Sequence, residues 1–179
     1  PTGNRVIDMG GGTTDIAVLS LDGIVYSESI KIAGNTLDID IIKYIKSKYK
    51  LLIGEVTAEN IKIKIGTVMC ESKNKSMKVR GRDLLTGLPK TIEITSKEVK
   101  EAIYDSLEMI IHATKTVLEK IEPEISADII DKGIVLTGGG ALLDGLDKLI
   151  EKEIKVPVRV AESPLTCVAE GTGIMLDSI

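Results

Sequence analysis

The chain has 179 residues, with 23 Lys+Arg against 27 Asp+Glu for a formal net charge of −4. That length supports one large domain or two small ones, and the near-balance of charge excludes electrostatic capture of nucleic acid as its main activity. Trp and Phe are absent, so the core must be aliphatic. No apolar stretch approaches the ~20 residues of a membrane span, and no signal peptide is visible. Pro1, with a strand pattern a few residues later, reads as a cut from a longer polypeptide.

Arg5 to Met9 reads as a buried strand leading into Asp8-Met9-Gly10-Gly11-Gly12-Thr13-Thr14-Asp15. Glycines after a strand permit positive φ and let a ligand approach without a Cβ in the way. Successive exposed N–H groups in such a turn form an anion-binding concavity. Asp8, at the strand end, is placed to bind Mg²⁺ through water, since Mg²⁺ keeps several waters and few carboxylates. Thr13 and Thr14 can hydrogen-bond a phosphate oxygen or an attacking water. The plain alternative is a Gly-rich hairpin with polar flanks. Asp15 to Leu21 alternates as a second strand, Asp22-Gly23 signals a hairpin, and Ile24 to Ile32 continues as a third strand until Gly34-Asn35 breaks it.

Thr36 to Lys50 has helical spacing through Leu37, Ile41, Tyr44, Ile45 and Lys48. Glu55 to Ile65 is a shorter helix with Thr57 as its N-cap. Its Glu59 and Lys62 share a face, either as a solvent-exposed ion pair or as polar tips gripping a ribose and base. Spacing leaves both open. A polar loop from Glu71 to Ser76 precedes the strands Met77 to Arg82 and Thr91 to Thr95. The long turn between them holds Leu84, Leu85 and Gly87-Leu88-Pro89.

Thr95-Ser96-Lys97-Glu98 has capping-box spacing and opens a long helix with an apolar stripe from Val99 to Ile121, stopped by Pro123. His112 falls within it as a structural or surface residue. Cys70 and Cys167 lack metal-ligand spacing and read as buried free thiols of a reducing compartment.

Ile134 to Thr137 is a strand followed by the second glycine run, Gly138-Gly139-Gly140-Ala141. That run is expected to open a helix near Ala141 that extends to Glu151, with unpaired N–H groups and a positive dipole end suited to an anion. Bare backbone there would also let a flat base and ribose lie close. Its plain alternative is a tight strand-to-helix turn. A strand from Val156 to Val160 and a helix from Leu165 to Leu176 complete the chain, and Gly171 and Gly173 in that helix suggest close packing or a hinge. The order predicts an α/β fold, a mixed sheet covered by helices on both faces, with Asn35 to about Ile103 inserted as a small α+β unit. The two glycine runs together point to a nucleotide held between two loops.

With these motifs placed, the sequence resembles the actin-like ATPase superfamily, and within it the C-terminal half (domain II) of the bacterial actin MreB family. Asp8 to Asp15 is similar to the family's second phosphate motif and Leu136 to Ala141 to its adenosine motif. Leu51-Leu52-Ile53-Gly54-Glu55, Val79-Arg80-Gly81-Arg82-Asp83, Gly87-Leu88-Pro89-Lys90 and Glu162-Ser163-Pro164-Leu165-Thr166-Cys167-Val168-Ala169 extend the likeness outside the nucleotide motifs. Asp15 stands where many relatives carry Glu.

The resemblance implies a ribonuclease-H-like subdomain IIA from residues 1–33 and 104–179, with subdomain IIB from 34–103. It implies ATP and Mg²⁺ as cofactors. Gly10, Gly11, Gly12 and Thr13 would meet the phosphates, and Asp8 would serve the metal through water, with Thr13 helping to position the water. Glu59, Asn60, Ile61 and Lys62 would hold the adenosine, and Gly138, Gly139, Gly140 and Ala141 would back the nucleotide. ATP hydrolysis is implied for the full-length protein but not for this part alone, because a first phosphate loop and an acidic water-positioning residue belong to domain I. The likeness further implies self-association into filaments, other cell-shape and wall-synthesis proteins as partners, and membrane contact through domain I. It implies no nucleic-acid partner, and a cytoplasmic location at the inner face of the membrane. Half of a sugar-kinase-like or chaperone-type ATPase is the alternative.

Overall fold

Alternation in the first segment produces a strand meander, Asn4–Met9 (β1), Thr14–Ser20 (β2) and Gly23–Ile30 (β3). A computed structural model describes residues 4–20, 23–69 and 74–177. Asp22 of the expected hairpin turn, Cys70 and the start of the polar loop at Glu71 lie outside the described residues. After β3 the chain forms Gly34–Tyr49 (α1), the two-residue strand Leu51–Leu52 (β4) and Glu55–Ile65 (α2). The hairpin Ser76–Asp83 (β5) and Pro89–Thr95 (β6) leads directly into Ser96–Glu119 (α3). Pro123–Lys132 (α4), Ile134–Thr137 (β7), a 3-10 turn at Gly139–Leu142, Leu146–Ile154 (α5), Val158–Val160 (β8) and Cys167–Asp177 (α6) follow.

The large sheet has the order β3-β2-β1-β7-β8. It is mixed: β1 pairs antiparallel with β2, Ile7 opposite Ile16, and parallel with β7, Ile7 opposite Leu136. Because side chains alternate across a strand, this register gathers Arg5, Ile7, Met9, Thr14, Ile16, Val18, Ile134 and Leu136 on one buried face. Val6, Asp8, Ala17 and Val135 lie on the other face, which is half-buried. The second sheet, β4-β5-β6, is antiparallel, with Leu51 opposite Asp83 and Met77 opposite Ile94.

Helix α3 joins these parts. Its stripe of Val99, Ile103, Leu107, Ile110 and Val117 is almost wholly buried, and the helix packs on α1, on β2 and β3, and on β6. Residue 103, where the insertion is expected to end, is inside this unbroken helix. Among the described residues, no helix is long and apolar enough to cross a membrane.

Several local expectations are corrected. Thr57 does not cap α2: Gly54 is the N-cap in an extended conformation, and the helix starts at Glu55, whose carboxylate favours the dipole. Pro123 does not merely end a helix; it begins α4, since a first-turn proline loses no helical hydrogen bond. Strand β4 is too short to show a period, and it forms because Lys50 at φ 52 turns the chain from α1 onto the edge of β5. Cys167 is a free thiol but half-buried rather than buried. Helix α6 runs through Gly171 and Gly173, and a Cβ at either would meet nothing within 4 Å.

Candidate functional site

The turn between β1 and β2 is closed by the Gly10 N–H donating to the Thr13 carbonyl at 3.0 Å. The start of α1 is tied to it, as the Gly34 N–H donates to the Gly10 carbonyl (3.1 Å) and the Asn35 N–H to the Gly11 carbonyl (2.8 Å). Gly11, Gly12 and Thr13 are exposed. None of these glycines has a positive φ, contrary to expectation; the left-handed conformation falls on Gly138 in the second run. A Cβ on Gly12 would meet nothing within 4 Å, so neither backbone strain nor packing demands glycine there.

The two threonines differ. The Thr13 hydroxyl is exposed and donates to Asp15 Oδ2 at 3.0 Å. Thr14 is fully buried and donates to the Ile32 carbonyl at 2.6 Å. Its hydroxyl is thus committed to joining β2 to the end of β3, which corrects its expected role toward phosphate or water.

Asp8 lies one residue before the end of β1, on the half-buried face, opposite Asp15. Burial, and then the Asp15 charge, lifts its carboxyl above the usual range. A cation would relieve both effects, so the residue fits a hydrated divalent ion. Among the described residues, no group of three or more His, Cys, Asp or Glu could hold a metal by itself. A single carboxylate is what Mg²⁺ bound mainly through water and phosphate requires.

The second run is shaped by packing. Gly138 has φ 84, and a Cβ there would lie 2.4 Å from the Met9 carbonyl oxygen and 2.6 Å from Asp8 Oδ1. A Cβ on Gly140 would lie 2.3 Å from Met9 Cγ. These glycines let the loop pass over the end of β1. Ala141 is buried. The expected long helix from Ala141 does not form: Gly139–Leu142 is a single 3-10 turn, and α5 begins only at Leu146. The interruption coincides with Gly145 at φ 78 and with a tertiary contact at Asp144. The Thr67 hydroxyl donates to Asp144 Oδ2 at 2.8 Å, and the Val68 N–H donates to the Asp144 carbonyl at 3.0 Å. So short a turn carries little macrodipole, and the expected dipole-driven anion site is absent here.

Helix α2 completes the arrangement. Glu59 is exposed, while Lys62 reaches back toward α1, donating to the Gly34 carbonyl at 2.9 Å and lying 2.8 Å from Asp38 Oδ1. It therefore pairs with Asp38 rather than with Glu59. A cleft of about 380 Å³ opens between these pieces, lined by Gly10, Gly11, Glu59, Lys62, Gly139 and Gly140. Asn60 is exposed but outside the lining, and Ile61 is fully buried in the core, so neither side chain faces the cleft.

Sequence reasoning missed Asn35, Ile63, Leu142 and Leu165 in this wall. Ile63, Leu142 and Leu165 are 71%, 59% and 72% exposed. Their signal was available: each is a large apolar residue at a position the core stripe does not need. His112 is exposed in a separate cleft beside α3, away from both glycine runs.

The sequence and the fold have known relatives. Residues 1–179 match the family described as MreB/Mbl protein. The cell shape-determining protein Mbl of Bacillus subtilis (strain 168) is 58% identical over 179 residues, covering 100% of this chain and 54% of that protein. The chain thus spans about half the length of the curated relatives it matches. The crystal structure of MreB5 of Spiroplasma citri bound to ADP superposes with TM-score 0.96 at 42% identity, covering 99% of this chain and 54% of that one; its AMPPNP complex matches equally. The MamK double helical filament matches with TM-score 0.75 at 25% identity over 90% of this chain and 50% of that one.

Proposed function

The chain belongs to the MreB/Mbl protein family, and from that membership we propose that it forms the nucleotide-binding half of an actin-like cytoskeletal protein. The fold is actin-like. The proposed activity is ATP binding in the cleft described above, ATP hydrolysis in the intact protein, and assembly into filaments that guide cell shape and wall synthesis at the inner face of the membrane. One observation carries it: the first glycine turn, the start of α1, the polar face of α2 and the second glycine run converge on a single cleft. Its volume lies in the range of small-molecule sites. MreB5, similar along nearly the whole chain, binds ADP and AMPPNP. The family match disfavours a sugar-kinase-like or chaperone-type ATPase.

In this reading Gly11, Gly12 and Thr13 receive the phosphates, because they are exposed and Gly12 has room that the fold itself does not use. Glu59 and Lys62 take the ribose and base against Gly139, Ile63 and Leu142. Asp8 orients a hydrated Mg²⁺, which when bound supplies neutralising charge to the phosphates. The large sheet with its helices corresponds to subdomain IIA and the β4-β5-β6 unit with α1 and α2 to subdomain IIB. For self-association, Leu84, Leu85 and Leu88 project from the β5–β6 turn, with 41%, 81% and 64% exposure, and offer an apolar contact to a second copy. Partners among wall-synthesis proteins, and contact with the membrane, belong to the same proposal.

The test is calorimetry of the intact protein with ATP and Mg²⁺, paired with electron microscopy of the same sample. Saturable binding and nucleotide-dependent filaments are expected. A protein that binds no adenine nucleotide would overturn the reading.

A further inference from the structure

Lys62 and Asp38 form an ion pair in the wall of the cleft, with side chains only 17% and 10% exposed. The two groups come from different helices, α2 and α1. The Lys62 ammonium has three donors. One is spent on the Gly34 carbonyl at 2.9 Å, and another faces Asp38 Oδ1 at 2.8 Å. Asp38 Oδ1 is itself buried without a well-aligned hydrogen bond. Lys62 and Asp38 nevertheless meet at hydrogen-bond distance as opposite charges, and Asp38 offsets the Lys62 cation. Burial lifts the Asp38 carboxyl above the usual range and Lys62 opposes that, while Glu59 and Glu55 add like charge.

The pair is also wired to the glycine turn. Gly34, which accepts from Lys62 through its carbonyl, donates through its N–H to the Gly10 carbonyl, and the next N–H, of Asn35, donates to Gly11. One continuous chain of contacts thus runs from α2 through the first turn of α1 to the turn that would receive phosphate.

We infer that Asp38 is a positioning residue of this cleft: it neutralises Lys62 and pins its ammonium at the Gly34 carbonyl, so that Lys62 meets the nucleoside as a hydrogen-bond donor instead of meeting the phosphates as a free cation. The inference rests on the nucleotide reading above. It assigns the selection of phosphate to the glycine turn and the selection of the nucleoside to a lysine whose charge is already spent. An uncharged nucleoside oxygen or nitrogen is the ligand chemistry such a lysine suits, because a free ammonium in the same place would favour the anionic end of the ligand.

The test measures adenosine, ADP and ATP·Mg²⁺ affinities of the intact protein for the wild type, Asp38→Asn, Lys62→Met and the double variant. Asp38→Asn is expected to weaken adenosine about 10-fold and ATP less, with a steeper salt dependence for ATP because a cation has been released. Lys62→Met is expected to weaken adenosine by a similar factor, and the double variant to be no weaker than Lys62→Met alone. A purely structural role for Asp38 would lower all three ligands alike. Equal losses for adenosine and ATP, or losses that multiply in the double variant, would overturn the inference. Should Asp38→Asn fail to fold because it strands a buried cation, the double variant carries no stranded charge; an adenosine affinity about 10-fold below that of Lys62→Met would then overturn it. A wild type that binds none of the three ligands would overturn the nucleotide reading, and this inference with it.

Discussion

Glu98 Oε1, in the first turn of α3, lies 2.7 Å from Lys48 Nζ in the last turn of α1. The same carboxylate accepts from the Tyr49 hydroxyl and, through Oε2, from the Thr95 N–H at 2.9 Å, while the Glu98 N–H returns to Thr95 Oγ1. A local capping box thereby becomes a tertiary clamp between the helix of one sheet's neighbourhood and the helix that spans both. Burial pushes the Glu98 carboxyl up, but Lys48, Tyr49 and Thr95 together outweigh it and hold the group at about 2 against an ordinary 4.5.

A carboxyl depressed on folding stabilises the protein above its unfolded value and loses that contribution as pH falls through the folded one. Glu98→Gln is therefore expected to cost on the order of 2 kcal/mol at neutral pH, after discounting for the half-exposed Lys48. The gap between wild type and variant should shrink as pH drops from about 4.5 toward 2. Urea midpoints at pH 7 and pH 3 check this, and a gap that is unchanged or wider at pH 3 would count against it.

The glycine runs are expected to answer to different assays. Gly138→Ala forces a Cβ onto the Met9 carbonyl at a left-handed φ, which should destabilise the fold by at least about 2 kcal/mol. Gly12→Ala faces open space, so its melting temperature should match the wild type while its ATP affinity falls about 10-fold. Thermal melts alongside nucleotide titrations separate the two, and a Gly12→Ala protein with wild-type ATP affinity would remove Gly12 from the phosphate site.

Asp8 carries a charge that its surroundings oppose, through burial and Asp15. Asp8→Asn should raise the melting temperature at pH 7 in the absence of metal, because a carboxyl whose value is raised on folding is destabilising when ionised. The same change in the intact protein should cut Mg²⁺-dependent ATP hydrolysis by about 100-fold or more. Phosphate release at the wild-type rate would exclude Asp8 from the metal's surroundings.

Leu85 and Leu88 are exposed on a turn and contribute little to the core. Leu85→Asp with Leu88→Asp should leave the circular dichroism spectrum and the melt unchanged and abolish pelleting of filaments with ATP. Filaments that assemble normally would show that this turn takes no part in the contact between copies.

Much was legible in the chain because it depends on neighbours in sequence. The alternation through Ile7, Ile16 and Val18 specifies strands with one buried face; the 3.6-residue spacing from Val99 to Val117 specifies α3, and Thr95 with Glu98 marks where it starts. Both glycine runs, with Glu59 and Lys62, were visible as candidate pieces of one site. These features follow from local sterics, helix and strand periods and capping chemistry, which a sequence states directly.

Tertiary structure decided what those pieces do. Thr67 and Val68 hold Asp144 where the helix expected after Ala141 is interrupted. Met9 makes Gly138 and Gly140 obligatory for packing, whereas a Cβ on Gly12 would meet nothing within 4 Å. Ile32 claims the Thr14 hydroxyl, and Asp38 claims Lys62. In the three polar cases a group buried by the fold, Thr14, Thr67 or Asp38, takes the partner that packing brings near it from a distant part of the sequence, because a buried polar group without one is costly. Sequence determined which side chains and backbone groups are candidates for the proposed nucleotide site; packing determined which of them the fold itself already uses.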